Sequence, residues 1–163
     1  MSAEPSPPPD GSPEAGSPSG EASRSAYEAT MAHDNRIQNI LGENRNRNQL
    51  NASRYLDYLK SAVKFPCRLT GIEDFPWEER YVIGGWDKDE YEELKKENPS
   101  YTDVFELLEL LEPDSEFDDI IAKLQRLTDL KIFEVGLSWL QCLDSDDVNY
   151  QLISDYAVWH TNY

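Results

Sequence analysis

Residues 120–140, Ile120-Ile-Ala-Lys-Leu-Gln-Arg-Leu-Thr-Asp-Leu-Lys-Ile-Phe-Glu-Val-Gly-Leu-Ser-Trp-Leu140, decide the fold. Ile120, Ala122 and Leu124 alternate with Ile121, Lys123 and Gln125. After a Thr128-Asp129 turn, Phe133, Val135, Leu137 and Trp139 alternate again. Period-two alternation on both sides of a turn predicts a β-hairpin with one buried face.

Working outward from this hairpin, residues 149–155 suggest a helical turn, and Tyr156 to Tyr163 form an aromatic-rich closing segment. Upstream, residues 101–112 are ambiguous. Val104, Leu107, Leu108 and Leu111 fit a helix, while Phe105, Leu107 and Leu111 also suit a two-sided strand. The stretch beginning at Asp87 reads as a surface helical turn, with acids early, Lys95 and Lys96 late, and Pro99 as its stop. Pro66 to Ile72 reads as a short strand with Leu69 inward. Before it, Asn51 is a candidate N-cap for a helix carrying Tyr55, Leu56, Leu59 and Val63 on one face, closed by Pro66. One helix followed by several short strands predicts a mainly β, α+β domain, built as a small, partly open SH3-like β-barrel.

Composition changes near residue 50. Residues 1–26 hold six of the ten prolines and no aromatic residue, a composition that predicts disorder. Residues 27–50 are polar, with Ile37, Ile40 and Leu41 at the spacing of a short helix. The expected organisation is a disordered tail over 1–50 and a folded body over 51–163. No apolar run approaches the roughly 20 residues needed to cross a bilayer, and the N-terminus shows no apolar signal segment. Cys67 and Cys142 have no metal-type spacing and read as reduced, buried thiols; a cytoplasmic location is the expectation.

The formal net charge is −17. It argues against nucleic acid and anionic membranes, which are bound chiefly through Lys and Arg. The charge is concentrated: residues 73–119 carry 18 acids against four bases. Two clusters have ligand-like spacing. One is the run Glu112-Pro-Asp114-Ser-Glu116-Phe-Asp118-Asp119, and the other is Asp144-Ser-Asp146-Asp147-Val-Asn149. Calcium takes six to eight oxygens from carboxylates, carbonyls, amides and water, which such loops supply. Neither is an EF-hand, because counting from Asp144 places Asn149 where that loop requires glycine.

An enzyme is not expected. Nucleophilic catalysis needs a base beside the nucleophile, and only His33 and His160 are available, the latter reading as a structural residue among aromatics. Gly84-Gly85 is an isolated pair and reads as a turn. Trp77 and Trp86, set among acids, are candidate exposed anchors for a protein partner, whereas Trp139 reads as core. The alternative to calcium binding is therefore an acidic interaction module for a basic protein: an inhibitor, an immunity protein or a mimic of the DNA phosphate backbone.

Three segments together resemble the cyanobacterial calcium-binding protein family called CcbP. They are Arg54-Tyr-Leu-Asp-Tyr-Leu-Lys-Ser-Ala-Val-Lys-Phe-Pro66, the hairpin leading to Gly136-Leu-Ser-Trp-Leu140, and the acidic stretch from Leu143 that runs into the aromatic tail ending at Tyr163. The resemblance covers most of residues 52–163. It implies a barrel-like domain that binds calcium through surface carboxylates, as a buffer or sensor. By position it carries over to Asp144, Asp146 and Asp147, and through the loop before the hairpin to Asp114, Glu116, Asp118 and Asp119. Residues 73–100 depart from the family pattern as an insertion or divergent loop, so Glu73, Asp74, Glu78 and Glu79 receive no role.

Overall fold

The computed structural model describes the backbone of residues 17–163, with side chains from residue 26 onward. The expectation of disorder over residues 1–16 lies outside the described residues. The chain divides into two units between Arg36 and Ile37. Helix α1, Ser17–Leu41, supplies the described part of the first and opens the second. Within the segment read as tail, Pro18 falls in the first helical turn, where proline is tolerated. Beyond it, good helix formers such as Ala22, Ala26, Ala29 and Ala32 recur. Gly42, at φ +85°, ends the helix, its N–H donating to Gln38 O at 2.7 Å.

The second unit, Ile37–Tyr163, has its own core. Ile37 and Leu41 are buried in it, so residues assigned to the tail by composition contribute to the packing. Helix α2 is Gln49–Ala62. Its N-cap is Asn48, whose side chain accepts from Asn51 N, and not Asn51 itself. The Asn51 amide is buried and donates to Asn44 O and Asn46 O, fixing the turn before the helix. Ala52, Tyr55, Leu56 and Leu59 form the buried face.

Five antiparallel strands follow: β1 Arg68–Gly71, β2 Phe105–Leu111, β3 Ile121–Arg126, β4 Ile132–Gly136 and β5 Leu140–Cys142. Their spatial order is β4-β3-β2-β1-β5. The predicted hairpin is β3–β4, with Leu124 opposite Phe133 and Ala122 opposite Val135. Residues 105–111 resolve as a strand, with a bulge between Leu107 and Glu109. The long β1–β2 connection holds two helices, α3 Glu79–Val82, entered through a 3-10 turn at Pro76–Glu78, and α4 Lys88–Glu97. The C-terminal segment is a single helix, α5 Tyr150–Asn162. It packs Tyr156 and Trp159 against Tyr55 of α2, with ring centroids 5.1 and 5.4 Å apart.

The SH3-like barrel needs correction: the sheet is not closed, and β4 and β5 remain its two edges. Gly136 and Leu140 are only four Cα steps apart, a reach of at most about 15 Å. A flat five-stranded sheet would hold its edges about 19 Å apart. The sheet is therefore curled. A 3-10 strap, Leu137–Trp139, spans the gap in place of a ladder. Leu137 N donates to Ile120 O (2.7 Å) and Ile72 N to Trp139 O (2.9 Å), lacing the strap to both sides. Both cysteines are free and buried, and the neighbouring Cys67 thiol together with burial raises the Cys142 thiol above its usual value. No helix among the described residues is long and apolar enough to cross a membrane.

Candidate functional site

The chain leaves β2 at Leu111 and returns to β3 at Ile121, so residues 112–120 must reverse direction tightly. Asp114 organises the turn. Its carboxylate accepts from Phe117 N, its carbonyl accepts from Asp118 N (3.1 Å), and its own N–H donates to Asp119 O (3.0 Å). Asp118 takes φ +54°, a left-handed conformation that Asp tolerates better than most residues. The turn leaves Glu116 exposed and buries Asp119, which is only 3% accessible.

Asp119 accepts from Ser138 Oγ at 2.7 Å, Ser138 N at 3.2 Å and Tyr156 Oη at 2.8 Å. Tyr156 in turn accepts from Ile120 N at 2.7 Å. One carboxylate thus ties the loop, the strap and α5 together. Burial raises the Asp119 carboxyl above the usual aspartate value, with the Ser138 and Tyr156 hydrogen bonds and His160 acting in the opposite direction. Gly136 makes room for it: a Cβ there would overlap the Asp119 carboxylate.

Around this carboxylate lies a cavity of about 580 Å³. Glu73, Asp114, Asp119, Ser138, Trp139 and His160 are among its lining residues. His160 contacts the Phe117 carbonyl at 2.8 Å through Nε2, closing the loop onto the end of α5. Arg47 also lines the cavity and donates to the His160 carbonyl at 3.0 Å. Of the first predicted cluster, the structure brings Asp114 and Asp119 to the cavity; Asp118 sits half-buried in the turn, and Glu116 points to solvent.

The second cluster lies elsewhere. Asp144 Oδ1 accepts from Asp146 N (2.9 Å), Asp144 O from Asp147 N (3.0 Å), and Asp147 Oδ1 from Asn149 N (2.7 Å). Asn149 is fully buried and pairs both ways with Lys64, accepting from its N–H at 2.8 Å and donating to its carbonyl at 2.7 Å. This loop feeds the N-terminus of α5, where carboxylates also complement the helix dipole. Asp119 faces the other end of α5, near Tyr156 and His160. The ten helical steps from Tyr150 to His160 span about 15 Å, so one ion cannot be shared by both clusters.

Sequence spacing missed Glu73, Ser138 and Arg47. They reach the cavity from the end of β1, the strap and the turn before α2, which only the curled sheet brings together. Among the described residues, no three His, Cys, Asp or Glu side chains are already arranged to hold a metal ion. The cavity's oxygen donors, three carboxylates with the Ser138 and Thr161 hydroxyls, are of the kind calcium takes, set among Phe117, Trp139 and the Arg47 guanidinium.

No protein-family model matches the chain, and no curated protein matches it. Among solved structures the chain is similar to the crystal structure of CcbP from Anabaena. The identity is 17% and the TM-score 0.51, over 79% of this chain and 89% of that one. It is also similar to a calcium binding protein solved in its calcium-binding form, at 15% identity and TM-score 0.50, over 80% of this chain and 90% of the other. The resemblance carried by the opening helix, the hairpin and the acidic C-terminal stretch is thus matched in three dimensions: the chain has a CcbP-like fold.

Proposed function

We propose that the protein binds calcium in the cavity between the Asp114–Asp119 loop and the C-terminal end of α5, as a buffer or sensor. The observation that carries this reading is the convergence of Glu73, Asp114 and Asp119 on one cavity, from segments remote in sequence. Its support from outside the chain is the fold shared with a calcium binding protein captured in its calcium-binding form. Asp119 is the fixed member, held by Ser138 and Tyr156. Exposed Glu73 is the member free to swing, Asp114 stays bonded to Phe117 N, and Asp118 and Glu116 adjoin on the same turn. A divalent ion relieves the repulsion among these carboxylates and draws the turn together. The Asp144, Asp146 and Asp147 loop is the second proposed site, its exposed oxygens left over from the turn they cap.

Chelator competition on the Glu73→Gln/Asp114→Asn protein tests the first site. Calcium affinity should fall at least about tenfold, because affinity follows the number of charged ligands. Unchanged affinity in that variant, with loss on neutralising Asp144, Asp146 and Asp147, would move the site to the second loop. Arg47 provides a further check. Its guanidinium lines the same cavity and opposes a cation, so Arg47→Ala should tighten calcium binding.

A further inference from the structure

A second concavity lies in the long β1–β2 connection; it shares Pro76 with the first cavity but none of the carboxylates assigned to calcium. It is a groove of about 710 Å³ lined by Trp77, Tyr81, Ile83, Trp86 and Leu94, with Glu79 and Arg80 among its polar members. We propose that this groove is a docking site for a basic amphipathic segment of another protein, one carrying a bulky apolar anchor flanked by Lys or Arg.

The groove is built in advance of any partner. Glu78 is fully buried and acts as its keystone. Its Oε1 accepts from Tyr91 Oη and Ser100 Oγ, both at 2.7 Å, and its Oε2 accepts from Tyr101 N at 2.9 Å and Phe75 N at 3.2 Å. These bonds fasten the α3 entry to α4 and to the chain entering β2. Tyr81 then stacks on Tyr91 with centroids 5.2 Å apart and planes 3° from parallel. Trp77 packs at 5.7 Å from Tyr91 and donates its indole N–H to Pro99 O at 2.7 Å. The floor is therefore rigid aromatic surface, which loses little entropy on binding.

Its lip is apolar and open. Ile83 is 73% accessible and Trp86 54%. Trp86 is held in place by the Arg80 guanidinium, 5.2 Å from its ring, which also lies 5.1 Å from the Tyr81 ring. Two large apolar side chains exposed on so charged a segment have no role in this unit's own core.

Charge selects the occupant. Residues 76–94 carry seven acids and two bases. Glu79 lines the groove, and Glu90 reaches it by accepting from Tyr81 Oη at 2.8 Å. Asp87 and Asp89 open α4 beside them. None of these four carboxylates is in a salt bridge among the described residues, whereas Glu92, Glu93 and Glu97 are matched by Lys95, Lys96 and Lys131. An apolar floor beside acids that outnumber the Arg80 and Lys88 cations complements a cationic, amphipathic segment and repels a second copy of the same face.

The test uses the full-length protein and three synthetic peptides, read by tryptophan fluorescence and calorimetry. One peptide is an amphipathic Lys/Leu/Trp helix, one has the same composition scrambled, and one has Glu in place of Lys. The amphipathic basic peptide should bind saturably, and the scrambled and acidic peptides at least about tenfold more weakly. Trp86→Ala with Ile83→Ser should abolish that preference while leaving the melting temperature within about 2 °C, since both side chains are exposed. Glu79→Gln with Asp89→Asn should weaken binding and flatten its salt dependence. Equal binding of the scrambled peptide, or no effect of Trp86→Ala/Ile83→Ser, would overturn the proposal in favour of diffuse charge attraction. Absence of binding, or sedimentation showing a dimer that Trp86→Ala dissolves, would overturn it as well.

Discussion

Two carboxylates in this protein illustrate opposite uses of the same group. Asp119 is enclosed and accepts three hydrogen bonds, so truncating it strands the Ser138 and Tyr156 donors. Asp119→Ala should cost on the order of 3 kcal/mol in urea unfolding. Gly136→Ala should be destabilising by about 1–3 kcal/mol for a related reason, because its Cβ displaces that carboxylate. Asp129 sits at the surface of the β3–β4 turn, where the Arg126 guanidinium lowers its carboxyl to about 2. Its folded value lies below the unfolded value of about 3.9. Its contribution is therefore fully present above the unfolded value and is lost as pH falls through about 2. Unfolding of the wild type and Asp129→Asn should differ by a constant amount at pH 5–7 and converge only below about pH 2. A difference undiminished as pH falls through about 2 would show that the Arg126 pair is not its source.

At the level of elements, what could be read in the chain followed from the regularity of each segment. The β3–β4 hairpin keeps strict alternation and a clean turn, and α4 has Asp87 at its N-cap, lysines late and Pro99 beyond, so both were legible. Residues 101–112 were ambiguous for a physical reason. The bulge between Leu107 and Glu109 interrupts the period of two, leaving Leu108 exposed between the buried Leu107 and Leu110. The sequence of α5 reads as only a turn and a tail because Val158, the aromatics and Ile153 are weak helix formers whose packing decides their state. The role of Arg126 was not visible at all. It lies on an inward strand position, with its side chain 4% accessible, and caps the end of α4 through Lys95 O, Lys96 O and Asn98 O while pairing with Asp103 and Asp129. Arg126→Met should destabilise by about 3 kcal/mol and loosen α4 first, seen as faster amide exchange there than in α2. Uniform exchange across both helices would argue against that local role.

Over the whole molecule the net charge is −17, and the second unit carries most of it on five strands that curl without closing. The strap from Gly136 to Leu140 gives the sheet its curl and also brings Ser138 and Trp139 beside Asp119. Site and fold are thus the same device. This is why Asp114 and Asp119 could be named from spacing while Glu73 could not: its place depends on closure of the curl, not on any local pattern. The acids divide into three regions with different expected roles. The cavity near the end of α5 is proposed for calcium, the loop before α5 for a second ion, and the rim of the aromatic groove for a basic partner. The most direct test of the central proposal is calorimetric titration of the full-length protein with calcium, run in parallel with magnesium at physiological ionic strength. Saturable heat with a stoichiometry of one or two, selective for calcium because magnesium dehydrates reluctantly and demands stricter octahedral geometry, is the predicted result. No heat, or the same heat with magnesium, would contradict it.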